Sequence, residues 1–346
     1  MKVGIIGLEY AGKKSLFSLL TGIKKDGYQQ AGQEIGIVNV PDERIDYLAE
    51  FYSTKKITYS KIEFYLIPSL KKDSQERRKA LLEAKEMDMF AVIVRQFNDD
   101  NVFHPEGKID FKRDYSIVKD ELIFADLFFV DTRVERLENS MKSKKTDLSV
   151  KELELMKKIK VHLESGNYLN TYKFTVDELK FIRTYNLVTI NPVFAVINCD
   201  EDKINTEFEI DNAVKAINMS IKIENEIQQL DVPAKKEFMD TLGIKESSLN
   251  RLIKFAYNYG DLISFITAGP SEVHSWTIKN GTSALKSAGV IHSDLERGFI
   301  RAEIVNFEDL KSAGSEVKAK ETAKYHLEGK EYIVKDGDIL DIRFNV

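Results

Sequence analysis

Residues 2–22 read KVGIIGLEYAGKKSLFSLLTG. The apolar run KVGIIG stops at Gly7, and KKSLFSLLTG has the spacing of a helix that ends at Gly22. Between them lies Gly7-Leu-Glu-Tyr10-Ala11-Gly12-Lys13, followed by Lys14 and Ser15. Two glycines and a lysine between a strand and a helix form a phosphate-cradling loop. The glycines let backbone N–H groups turn inward, and the helix adds the positive end of its dipole. Lys13 stands where an ammonium reaches the outer phosphates. The next position normally carries a hydroxyl that ligates magnesium, and here it is Lys14, whose ammonium has no lone pair to offer a cation. Ser15 comes one residue later, about 100° further round the helix.

Outward from this loop, further strand candidates are IGIVNV (35–40), KIEFYLIP (61–68), FAVIVRQF (90–97), PVFAVINCD (192–200) and KAINMSI (215–221). Apolar strands alternating with helical stretches predict an α/β fold with a mostly parallel sheet. Another texture interrupts at 115–186. Ile123, Leu127, Val130, Val134, Leu137 and Met141 form a coiled-coil seam, and Leu155, Ile159 and Leu163 make a second stripe. The spacing predicts an antiparallel helical hairpin whose second helix starts at Ser149, with Glu152 completing a capping box, and stops near Gly166. Core packing is the ordinary fate of such stripes. From 266 to 346 the chain turns β-rich, and VKDGD (334–338) reads as a hairpin turn. The expected domains are therefore 1–114 with 187–265 for the nucleotide-binding unit, 115–186 for the inserted hairpin, and 266–346 for a small β domain.

Composition limits the function. The 346 residues carry 51 Lys+Arg against 56 Asp+Glu, a net charge of −5. Residues 266–346 hold 11 Lys+Arg against 13 Asp+Glu, a net of −2. Free nucleic acid therefore meets no strong basic patch, although Trp276, His292, Arg297, Arg301, Lys318, Lys320 and Lys324 could face RNA within a shaped interface. Cys199 is the single cysteine, which excludes an internal disulfide and fits a reducing compartment. The five histidines lack metal-site spacing, and Met1 to Gly7 is too short to span a membrane. A cytoplasmic protein is expected, and no paired groups point to a metal hydrolase or a nucleophilic enzyme.

GLEYAGKKSLF resembles the GLPNVGKSTLF loop of the YchF, or Obg-like ATPase, family of translation-associated P-loop NTPases. FNDDNVFHPEGKIDFKRDYSIVKDELIFADL resembles that family's segment leading into its helical hairpin. TAGPSEVHSWTIKNGTSALKSAGVIHSDLERGFIRAEIV and LEGKEYIVKDGDILDIRFNV resemble its TGS domain, a ubiquitin-like β-grasp module. The resemblance covers nearly the whole chain and is weakest between 22 and 85. It implies a P-loop domain, an inserted coiled-coil hairpin and a C-terminal β-grasp domain. It also implies ATP or GTP as ligand, and ribosome or translation-factor contacts through the hairpin and TGS domain.

The family reads its base with Asn-x-x-Glu, matched by Asn198-Cys199-Asp200-Glu201, so the resemblance implies tolerance of adenine. Ser220-Ile221-Lys222 falls on the second base-side loop. The phosphate-binding set is then Gly7, Tyr10, Ala11, Gly12, Lys13, Lys14 and Ser15; the base-binding set is Asn198, Cys199, Glu201, Ser220 and Ile221. The departures gather where hydrolysis occurs. The family's Asp-x-x-Gly aligns with Leu66-Ile67-Pro68-Ser69, the segment after it reads as plain helix, and GYQQAGQEIG (27–36) lacks the threonine-bearing first switch. No metal ligand is assigned, because Lys14 and Leu66 take the magnesium positions. Phosphoryl transfer depends on positioning and charge neutralisation, so binding is expected to survive with hydrolysis weak or absent and magnesium dependence in doubt. Lys14 leaves two readings open, an ammonium seated where the metal would be and, more simply, a side chain that points to solvent beside a decayed site. The competing readings are a working ATPase with an unusual metal site and an interaction scaffold that binds no nucleotide.

Overall fold

The computed structural model describes residues 1–23, 34–69, 80–211 and 214–345. The chain divides into two compact units, one formed by 1–37 with 63–249 and the other by 38–62 with 250–346.

In the first unit, β1 (Lys2–Ile6) lies between β4 (Lys61–Leu66) and β5 (Met89–Gln96) and is parallel to both. β6 (Val193–Cys199) continues parallel to β5, and β7 (Ala216–Met219) parallel to β6. With β2 (Glu34–Asn39) beside β4, the order is β2-β4-β1-β5-β6-β7. β6 is buried at every position, as expected of a parallel strand covered on both faces. KAINMSI is strand only to Met219, because Ser220 caps the next helix with its hydroxyl and Ile221 begins it.

The helical insert consists of α3 (Phe111–Ser143) and α4 (Asp147–Glu164); the shorter α1 (Lys13–Thr21) and α2 (Glu43–Phe51) precede it. Ion pairs Asp131–Lys160 and Glu138–Lys157 run in opposite numerical senses along α3 and α4, so the two are antiparallel. Ile123, Val130 and Leu137 are buried with Leu155, Ile159 and Leu163 in one apolar cluster that continues to Phe90, Val92 and Ile197 of the sheet. The stripe is core.

The capping box lies elsewhere than the spacing indicates. Thr146 caps α4 and Ser149 returns the bond. Glu152 is instead drawn into the packing, where it accepts from Arg133 Nε at 2.5 Å and Tyr185 Oη at 2.7 Å. The helix expected after Ser69 falls mostly on residues outside those described, as does most of GYQQAGQEIG; residues 80–84 are helical.

The second unit holds a mixed sheet. β8 (Leu262–Ala268) and β9 (Val273–Lys279) are antiparallel, and β12 (Asp338–Phe344) runs parallel to β8. β10 (Phe299–Asn306) pairs antiparallel with β12 on one side and β11 (His326–Glu328) on the other. The hairpin expected at VKDGD does not form, because β10 separates β11 from β12. Gly337 at φ 81° makes the turn that enters β12. Residues 38–62 and 250–265 belong to this unit rather than to the nucleotide-binding one in which the sequence places them. Ile45 and Leu48 of α2 are buried with Ile266, Val305, Leu310 and Ile339, and β3 (Ile57–Thr58) extends the sheet beside β9.

Candidate functional site

The chain leaves β1 for β4 on one side and later returns to β5 on the other, so the loop after β1 stands where strand order reverses. Crevices at the carboxyl ends of parallel strands at such a point are where ligands bind. Gly7 sits there because a Cβ would meet Ile93 O at 2.4 Å, and only glycine lets the loop pass β5 so closely. Gly12, at φ 104°, is the N-cap of α1, and a Cβ there would meet Asn198 Nδ2 at 2.7 Å. Tyr10 also adopts a left-handed backbone, φ 60°, with its ring exposed at the loop's tip. A non-glycine residue held there stores about 1–3 kcal/mol of strain, a feature that the motif pattern alone does not reveal.

Lys13 is folded back into its own loop and only 6% exposed. Its ammonium donates to Gly7 O at 2.5 Å, Leu8 O at 2.9 Å and Ser69 Oγ at 2.9 Å. Burial pushes its pKa down to about 7; Glu9 opposes the shift and Lys14 adds to it. Lys14 and Ser15 are exposed on the first turn of α1. Leu66 is buried and apolar, and Ile67 donates its amide to Ile5 O at 3.1 Å. The contact between Ser69 and Lys13 carries no signal in the sequence, where Ser69 is only the residue standing at the family's glycine.

Asn198, buried at the end of β6, joins the loops. Its Nδ2 donates to Ala11 O at 3.1 Å, and its Oδ1 accepts from Ile221 N at 3.2 Å. The segments at 198–201 and 220–222 and the loop after β1 are thus tied together by one side chain. Asp200 accepts from Asn98 N and Nδ2 at 3.2 and 3.3 Å and from Lys203 Nζ at 3.0 Å, which fixes it to the loop after β5. Glu201 stays exposed, its carboxylate 4.0 Å from Lys222 Nζ. Cys199 is buried with its Sγ 3.6 Å from Met219 O, and desolvation raises its thiol to about 11, so it is a packing residue beside the loop rather than a nucleophile.

The positions a magnesium ion would use carry a hydrocarbon, Leu66, and an ammonium, Lys14. That donor set does not fit a hard, oxygen-seeking cation. Among the described residues no group of three or more His, Cys, Asp or Glu is placed to hold a metal, and no helix is long and apolar enough to cross a membrane.

Residues 262–345 match the family model YchF-GTPase_C, described as a protein of unknown function (DUF933). Over its full length the chain is 38% identical to the ribosome-binding ATPase YchF of Bacillus subtilis, covering 100% of that protein, and 37% identical to the one of Pasteurella multocida, covering 99%. The structure of the Schizosaccharomyces pombe YchF GTPase superposes with a TM-score of 0.85 at 27% identity, over 99% of this chain and 97% of that one.

Proposed function

The chain belongs to the YchF family, and from that premise we propose that it is a nucleotide-binding, ribosome-associated regulator that holds ATP or GTP with hydrolysis weak or absent. The observation that carries the binding half is the bridge from Asn198 to Ala11 O and Ile221 N, which keeps the phosphate loop and the base-side loops assembled. In this reading Gly7, Tyr10, Ala11, Gly12, Lys13, Lys14 and Ser15 surround the phosphates, with Lys13 supplying the charge. Asn198, Cys199, Glu201, Ser220 and Ile221 surround the base, and the exposed Glu201 carboxylate supports acceptance of an amino donor such as adenine's.

The hydrolysis half rests on Leu66 and Lys14. Neither ligates magnesium, so transition-state charge loses its usual neutralising ion and turnover falls. Affinity is expected to depend little on magnesium. Lys14 lies exposed, which favours a solvated side chain over an ammonium seated in the metal's place. The relatives' ribosome-binding name supports ribosomes as the partner here, contacted through α3, α4 and the second unit. A cytoplasmic location follows from that partner.

Thermal denaturation with 1 mM ATP or GTP tests the binding. A ligand selective for the folded chain must raise Tm, so a rise supports the proposal, and none with either nucleotide favours the scaffold reading. Co-sedimentation with purified ribosomes tests the association, and a chain left wholly in the supernatant at low salt rules it out.

A further inference from the structure

Lys13 has three N–H donors and in this structure all three are used. Two go to the backbone carbonyls of Gly7 and Leu8, fixed by the loop. The third goes to Ser69 Oγ, brought in from beyond the end of β4. A phosphate oxygen can gain a Lys13 proton only when one of these acceptors gives it up. Ser69 is the one side chain among them, and also the one partner able to reverse its role. It accepts from the ammonium, and it can donate its own proton to the lone pair of a neutral amine. The two carbonyls only accept. The cradle therefore satisfies Lys13 in either protonation state, which matters for a lysine whose burial brings its titration to about neutral pH.

We propose that Ser69 is a positioning residue that holds Lys13 retracted against its own loop and so weakens the affinity for a nucleotide's outer phosphates. The proposal rests on the nucleotide-binding reading above. Where the family's motif has a glycine, this chain carries a hydroxyl that competes with the ligand for the same ammonium. Removing it leaves one Lys13 donor unsatisfied in the retracted position and supplies a phosphate oxygen with a free proton. A hydrogen bond to a charged group is worth enough for about a tenfold change in affinity.

The test uses the full chain as wild type, Ser69→Ala and Ser69→Thr. ATP affinity is measured by calorimetry, and trace acetylation of Lys13 is read by mass spectrometry with Lys14 as internal reference. The expected result is about tenfold tighter ATP binding in Ser69→Ala. Lys13 acetylation rises relative to Lys14, and Ser69→Thr returns both towards wild type. Binding that is equal or weaker in Ser69→Ala overturns the proposal alone, as does unchanged Lys13 acetylation. ATP binding by none of the three, with the acetylation change present, overturns the nucleotide reading and this proposal with it.

Discussion

Asn198 donates its side-chain amide to the carbonyl of Ala11 across 187 residues of sequence, at 3.1 Å. The same side chain accepts from Ile221 N. Because it is buried, cutting it to alanine leaves the Ile221 N–H and the Ala11 carbonyl without partners inside the fold. We expect Asn198→Ala to cost about 1–3 kcal/mol of stability and to weaken nucleotide binding with it. Urea denaturation and calorimetry check the pair, and a variant as stable as wild type contradicts the bridging role.

Lys13 gives a pH signature. Burial brings its folded pKa down to about 7, below the 10.5 of an ordinary lysine. Between those values the unfolded chain binds more protons, so stability rises with pH across that window. The burial penalty is fully present below about pH 7 and relieved above it. Lys13→Met, which keeps the stem without the charge, is expected to flatten that rise by an amount on the order of a few kcal/mol. A bound polyphosphate restores the charged form, so nucleotide binding at pH 8 takes up a proton. Calorimetry in buffers of different ionisation enthalpy measures that uptake, and its absence contradicts a charged Lys13 on the phosphates.

Arg44 and Asp336 are 292 residues apart in sequence, yet Arg44 Nη1 donates to Asp336 Oδ2 at 2.7 Å. Arg44 also holds Asp42 Oδ2 at 2.8 Å, while Asp336 Oδ1 accepts from Ser264 N at 2.9 Å. Residues 38–62 are fastened to β8 and β12 through this pair. Arg44→Ala is expected to lower stability by about 1 kcal/mol, read as a fall in Tm, with Arg44→Lys recovering part of it. An unchanged Tm contradicts the fastening.

Local patterns made much of the fold legible in advance. The strands beginning at Lys2, Met89 and Val193 announce themselves as apolar runs, and the α3 and α4 stripes by their period. Long-range choices were not legible. Nothing local in Arg44 or Ile45 says that they pack with Asp336 and Ile339. An Asp-Gly pair promises a turn but not which strand lies beside it, so β10 could intervene between β11 and β12. At the candidate site, the glycines and lysine proposed to cradle a phosphate were readable from spacing. Ser69 was not, because its hydroxyl meets Lys13 only after β4 and β1 are paired.

Nucleotide binding and hydrolysis can be separated in one paired assay. ATP and GTP are titrated into the chain by calorimetry, first with EDTA and then with magnesium, while phosphate release is followed on the same sample. The expected result is measurable affinity that magnesium changes little, with turnover near background. Affinity that appears only with magnesium, together with turnover abolished by Lys13→Ala, contradicts it and establishes a working ATPase with an unusual metal site.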